Sequence, residues 1–427
     1  MKVSSAHAAQ VARTNSIAIL LWFLTLAWVA RVTIFIRRRA GTDFAVVDAT
    51  AIVQILITLV ILAIALGSGR TFAMWGMTRR TSIRTLLVYY AICFVSVAWS
   101  VLPEYSAYRA IEYISMILGV SLAVFCAPNF RGAERAVLMV TLLVIAMTLI
   151  GQTRIHGGIS LDVSFWHTNS YTVGAAMLFV YCLGEFGRAT GKRRRLLTAM
   201  GVVGFLVLAL GTSTTSNIAT MVGIMIVAML SRNSKLLIWG GMLAVLMVLF
   251  ILLGDVEKEE LGRTVLGGKS VQDIVELDHR GGLWESLFDL YLDSPVIGHG
   301  FAVISTGRGN VTAARPHNSL LSVLLGTGSL GFIFLVVYGF RVFRETMRPV
   351  RDRREGALGA TGALATGLVN SLGMPMVFDQ YEESSLAFVS FTALSIFWVY
   401  APWRSAIRQS TNRIIGAIPT RKKPQPF

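Results

Sequence analysis

Charge is scarce in this sequence: 15% of its 427 residues are Asp, Glu, Lys or Arg, against 54% hydrophobic. One soluble core cannot bury that much apolar surface, so a bilayer is the natural solvent for the excess. Cysteine is nearly absent. Cys93, Cys126 and Cys182 all fall in apolar blocks, which excludes a disulfide framework and a thiolate metal site. There is no Gly-x-x-x-x-Gly-Lys loop, which argues against an ATP-driven pump. No His-x-x-x-His or paired Asp motif lies on one helix face, so no metal is called for. The strand alternation of a membrane barrel is missing, as are internal repeats and the inverted pair of broken spans found in transporters.

What the sequence does have is apolar blocks of about 17 to 24 residues, the length that crosses a hydrocarbon core as helix. Twelve are read, at 15–36, 50–67, 85–102, 109–126, 135–151, 170–186, 196–212, 217–231, 236–253, 318–340, 357–377 and 386–402. Backbone polar groups find no water in lipid, so each block is expected to be helical. The expected fold class is an all-α integral membrane protein of about twelve transmembrane helices, a single polytopic domain over 1–427. The first block is too long for a signal peptide and lacks a small-residue cleavage site, so it is expected to stay as a span.

The net charge of +16 is explained by its placement. With twelve spans and a cytoplasmic N-terminus, most Lys and Arg fall at cytoplasmic ends. Examples are Arg70, Arg79, Arg80 and Arg84, then Lys192 to Arg195, the Arg341 to Arg354 segment, and Arg421, Lys422 and Lys423. This is the positive-inside pattern, and it removes the need for a nucleic-acid partner. Both termini are then cytoplasmic. Arg37, Arg38 and Arg39 run against the pattern, which leaves the orientation of the first span open.

Three outward segments carry enough polar residues for chemistry: 152–169, the turn 212–217, and a large periplasmic loop at 254–317 between spans nine and ten. The large loop has ten acidic residues from Asp255 to Asp293 and six basic ones, whereas the cytoplasmic face is strongly basic. Within it, Leu283, Trp284, Leu287, Leu290 and Tyr291 recur at helical spacing, predicting an amphipathic helix over 280–292 that is too polar to span. Asp293-Ser294-Pro295 ends that helix, and Asn318 is placed to cap the next span. Five of six histidines, His156, His167, His279, His299 and His317, lie in outward segments.

Four motifs follow one another here: Arg280-Gly-Gly-Leu-Trp284, then Ser294-Pro295-Val-Ile-Gly298-His-Gly300-Phe301, then Pro316-His317-Asn318-Ser319-Leu320, then Gly326-Thr-Gly328-Ser-Leu-Gly331. In order and spacing they resemble the bacterial O-antigen ligase and polysaccharide polymerase superfamily. Upstream, Trp99-Ser100-Val-Leu-Pro103-Glu104 with Tyr108-Arg109 is similar to the family's entry into its fourth span. Phe165-Trp166-His167-Thr168-Asn169 is similar to a loop ending in His-x-Asn, a form associated more with exopolysaccharide polymerases than with ligases. Twelve spans with both termini inside is also the family's layout. One departure stands out: many members carry an Arg in the turn between spans seven and eight, where this sequence reads Gly211-Thr-Ser213-Thr-Thr-Ser216-Asn217.

The resemblance implies a sugar donor carried on a polyprenyl diphosphate, transferred to an acceptor hydroxyl on the periplasmic face of the bacterial inner membrane. Such an enzyme must hold the leaving diphosphate, orient the acceptor and remove its proton. Arg280 is the first candidate for the diphosphate, because a guanidinium offers fixed paired donors. Arg315 and Arg308 are second-line candidates. His317 is the candidate for the acceptor proton, since a neutral imidazole is poised near pH 7. His167, Asn169, Ser213, Thr214, Ser216, Trp284 and Asn318 are candidates for lining the substrate path. Each has an ordinary alternative as helix cap, packing residue or solvated loop residue. Arginines can replace a divalent cation on the diphosphate, so neither cofactor nor metal is expected.

Two further function classes compete with a glycosyltransferase. A non-enzymatic transporter or flippase predicts ionisable residues in the middle of spans, and few are read there, with Glu112 and Glu185 assigned near span ends. A structural scaffold leaves the ordered motifs unexplained. Among transferases, polymerisation of exopolysaccharide or O-antigen repeat units is favoured over ligation to a lipid A core, on the His-x-Asn loop and the missing Arg. Membrane lipids and a chain-length regulator are the remaining expected partners.

Overall fold

A computed structural model of the protein describes residues 5–35, 49–68, 81–156, 169–211, 213–231, 280–303, 316–374 and 383–399. Among them are helices and turns but no strands. In chain order the helices are α1 (Ser5–Thr33), α2 (Ala49–Gly67), α3 (Ser82–Val95), α4 (Pro103–Cys126), α5 (Phe130–His156), α6 (Asn169–Phe186) and α7 (Gly191–Leu210). Then come α8 (Thr214–Ser231), α9 (Arg280–Asp293), α10 (Ser319–Arg351), α11 (Ala357–Asn370) and α12 (Glu383–Ser395), and a short 3-10 turn, Ser96–Ala98, follows α3. Eleven of the twelve expected blocks therefore coincide with a helix, and the ninth, at 236–253, lies outside the described residues.

Among the described residues, six helices are long and apolar enough to cross a membrane: Ser16–Thr33, Ala49–Gly67, Pro103–Cys126, Phe130–Ile155, Thr214–Ser231 and Ser319–Arg351. Ser82–Ala98, Ser170–Phe186 and Glu383–Val399 are shorter apolar helices. α7 opens on Lys192-Arg193-Arg194-Arg195, and α11 is 14 residues long, which sets both apart from the long apolar set. The outer faces carry apolar side chains such as Ile52, Val53 and Leu56 on α2, each about half exposed, as lipid contact requires.

α6 and α11 form the centre of the bundle. Ala357–Asn370 is rich in Gly, Ala and Thr, and these small residues let neighbouring backbones approach closely. A Cβ on Gly184 of α6 would come within 2.9 Å of the Gly359 Cα of α11. Hydrogen bonds across the bundle bring the turn at 99–102, Ser213 and the turn at 371–374 to one end with 294–303 and 316–318. The other end gathers Arg84, Arg131, Arg188, the Lys192 to Arg195 run and Arg341 to Arg354. That is the charge separation expected from the sequence.

Some boundaries differ from the sequence reading, for physical reasons. α4 begins at Pro103 rather than at 109 because Pro103 suits a first helical turn and Ser106 is buried with its hydroxyl on the Phe301 carbonyl. α10 continues past 340 to Arg351, its last turns basic and Val342, Thr346 and Val350 turned inward. α10 is also broken at Gly328, which has φ 64° and ψ −165°.

Candidate functional site

The break in α10 receives the turn that precedes it. In an unbroken helix the Ser329 and Leu330 N–H groups would bond to Leu325 and Gly326. Instead, Ser329 N–H donates to the Pro295 carbonyl at 2.8 Å and Leu330 N–H to that of Val296 at 3.2 Å. The carbonyls left over are taken up by the same turn, His299 N–H donating to Leu325 at 2.8 Å and Gly300 N–H to Gly326 at 3.0 Å. Two helical bonds are thus replaced by four bonds to the turn, so non-helical backbone is satisfied inside an apolar bundle. The Pro295–Gly300 and Gly326–Gly331 motifs are two halves of one backbone joint.

A third motif supports it. Trp99 donates its indole N–H to the Ile297 carbonyl at 3.2 Å, and Ser106 Oγ donates to the Phe301 carbonyl at 2.7 Å. Ser96 Oγ accepts from Phe301 N–H at 3.0 Å. Phe301 itself is buried edge-on against Tyr90 and Tyr113, which stack on each other at 4.2 Å. The Trp99-Ser100-x-x-Pro103 stretch is therefore the floor on which the turn sits.

The amphipathic helix falls where the sequence predicts. α9 lays Leu283, Trp284, Leu287, Leu290 and Tyr291 against Leu321 and Leu325 of α10, while Phe288 and Leu292 face outward. It is pinned at three places. Tyr291 Oη bonds to Ser329 Oγ at 2.8 Å, His299 Nε2 to the Leu290 carbonyl at 2.8 Å, and the Trp284 indole N–H donates to the Pro316 carbonyl at 2.8 Å. His299 is thus a strut between turn and helix.

His317 follows Pro316 in the left-handed region, with φ 48°. A non-glycine residue there is uncommon, and such backbone clusters at functional sites. Asn318 caps α10, its Oδ1 accepting from Leu320 N–H at 2.9 Å and Leu321 N–H at 3.2 Å. Ser319 N–H donates to the Ser371 carbonyl at 2.9 Å, which ties the His317 segment to the end of α11.

The same end of α11 meets the turn that lacks the family's Arg. Ser216 Oγ is fully buried and bonded to Thr172 Oγ1 at 2.9 Å, Asn370 Nδ2 at 2.9 Å and Ser213 Oγ at 3.1 Å. Beside it, Thr214 Oγ1 and Asn370 Oδ1 are buried with no hydrogen-bond partner among the described residues.

Of the candidates, the structure gathers Trp284, His317, Asn318, Ser213, Thr214 and Ser216 at one end of the bundle. Arg280 is the first residue of α9 and Asn169 the first of α6, and the side chains of both lie outside the described residues. His167, Arg308 and Arg315 lie outside them entirely.

Two buried ionic clusters were not legible as such. Glu112 is fully buried in α4 and accepts from Trp28 Nε1 at 2.9 Å, Gln54 Nε2 at 2.8 Å, Tyr108 Oη at 2.9 Å and Arg109 Nη1 at 2.7 Å, joining α1, α2 and α4. At the basic end, Arg193 reaches Glu134 at 2.6 Å and Glu185 at 2.8 Å, all three buried. Glu185 also accepts Gly356 N–H at 2.9 Å and Gly359 N–H at 3.2 Å at the start of α11. The sequence signal was an ionisable residue inside an apolar block, with Arg109 three residues before Glu112 as the one local clue.

These features describe a multi-pass helical membrane protein whose sequence motifs meet around a broken helix. Residues 199–336 match the family model described as O-antigen ligase, which agrees with the superfamily resemblance carried by the motifs. The matched stretch contains the Ser213–Ser216 turn, α9, the backbone joint and His317. It supports a membrane glycosyltransferase of the O-antigen ligase and polymerase type. No curated protein matches the chain.

Proposed function

We propose that this protein transfers a polyprenyl-diphosphate-linked glycan to an acceptor hydroxyl on the periplasmic face of the inner membrane, polymerising surface-polysaccharide repeat units. The observation that carries this reading is the setting of His317. It stands at the start of a membrane-length helix, in left-handed backbone, beside α9 and the end of α11, at the end of the bundle opposite the Lys192 to Arg195 and Arg341 to Arg354 clusters. The positive-inside rule assigns the basic end to the cytoplasm and the His317 end to the periplasm.

In this reading the acceptor hydroxyl attacks the anomeric carbon, the bond from that carbon to the diphosphate oxygen breaks, and polyprenyl diphosphate leaves. His317 takes the hydroxyl proton or orders the acceptor. Arg280 holds the growing charge on the diphosphate, with Arg308 and Arg315 in support. His167, Asn169, Thr214 and Asn318 line the path, the buried Ser213 and Ser216 hold the end of α11 behind it, and Trp284 positions the His317 segment. Ligation to a lipid A core is the second reading, favoured by the description of the matched family. The turn without an Arg and the His-x-Asn loop favour polymerisation.

The test uses purified protein in detergent with lipid-linked glycan. His317→Ala is expected to bind donor and to lose about 100-fold or more in rate, the scale of a lost general base. Near-normal turnover by that variant overturns the assignment.

A further inference from the structure

At the basic end, α3 and α10 enclose a groove of about 310 Å³ lined by Arg84, Thr85, Val88, Phe334, Val337 and Arg341. Two guanidiniums stand over an otherwise largely apolar wall. Arg341 Nη1 is fixed to Thr85 Oγ1 at 2.8 Å, which brings α10's cation to the lip of α3. Glu345, one turn along α10 and within electrostatic reach of Arg341, makes its hydrogen bonds with the start of α3, where its two oxygens accept from Ser82 N–H at 2.8 Å and Ser82 Oγ at 2.7 Å.

The helix faces continue the groove along the bundle. On α3, Arg84, Val88, Ala91 and Val95 follow one another at helical spacing, with Val95 59% exposed. On α10, Arg341, Val337, Ile333 and Leu330 do the same, with Ile333 57% exposed. Each cation thus ends an apolar lane, and both lanes run away from the basic end.

We infer that this groove binds one anionic glycerophospholipid, its phosphate between Arg84 and Arg341 and its acyl chains along the Val88 and Val337 lanes. The argument is charge complementarity joined to apolar continuity. A phosphate accepts paired guanidinium donors, basic pockets between helices on the cytoplasmic side recognise such headgroups, and the lanes below match hydrocarbon. The inference is independent of the transfer reaction and of His317.

Full-length protein, stripped of lipid in detergent, is titrated with phosphatidylglycerol or phosphatidylcholine and bound lipid is counted by native mass spectrometry. The wild type is expected to prefer phosphatidylglycerol. Arg84→Gln with Arg341→Gln should weaken that lipid by about twenty-five-fold, from about fivefold per guanidinium. Arg351→Gln with Arg353→Gln, changed elsewhere on the basic end, should not. Val337→Trp fills the lane without altering charge and should also weaken phosphatidylglycerol. Equal retention of both lipids by the wild type, or an equal loss in the Arg351 and Arg353 control, overturns the site. So does displacement by inorganic phosphate alone, which would mark a simple anion site. Should the double arginine variant fail to fold, unchanged binding by Val337→Trp overturns it.

Discussion

The Cβ that Gly298 lacks would stand 2.7 Å from the backbone nitrogen of Gly328 and 2.6 Å from the Gly326 carbonyl carbon. Both glycines also have positive φ, 67° and 64°. Contact and conformation therefore restrict the two positions together, and the four backbone bonds of the joint depend on it.

Gly328→Ala should be destabilising, because its Cβ would run into the Val296 carbonyl and its φ is strained. A loss of about 2–4 kcal/mol is expected, read as a fall in thermal stability in detergent. Gly339→Ala on the same helix, with open space around it, should be neutral or stabilise by up to about 1 kcal/mol. Equal behaviour of the two variants would dismiss the joint.

Trp284→Phe keeps the ring on Leu321 and Leu325 but removes the N–H that holds the Pro316 carbonyl. Stability should fall by only about 1 kcal/mol. Transfer rate should fall more than donor affinity if the bond positions His317. A loss confined to affinity would make Trp284 a binding residue instead.

Arg193→Ala leaves Glu134 and Glu185 buried without their cation. The expected cost is about 3–5 kcal/mol, seen as poor insertion or a large drop in melting temperature. A near-normal melting temperature would show that the cluster is wetter than its geometry indicates.

Orientation is checked by cysteines at Gly268 and Asp352. The first should react with an impermeant thiol reagent in cells with a permeable outer membrane, and the second should not. The reverse result would invert the bundle and remove the periplasmic assignment of His317.

Hydropathy carried most of the helix positions, because length and apolarity are local properties that the bilayer imposes segment by segment. It also carried α9, whose stripe from Leu283 to Tyr291 needs only helical spacing to be read. It missed what depends on partners. Arg193 looks like three of its neighbours in a basic run, and only the fold shows that it alone is turned onto two carboxylates. Glu112 read as a span-end residue because the four donors that neutralise its burial come from three separate helices. The Gly326–Gly331 segment was legible as a motif, but the break in α10 was not, since a glycine in an apolar run does not announce a second strand of backbone beside it. Asn318 was read correctly as a cap from its place before an apolar run.

The four bonds that join residues 295–300 to 325–330 run between backbone atoms, so they depend more on the missing bulk of the glycines than on the identity of the other side chains. Architecture and chemistry are therefore separable in this chain. A descendant that kept the glycines and replaced His317 would retain the broken helix and its seated turn, whatever became of the chemistry at that position.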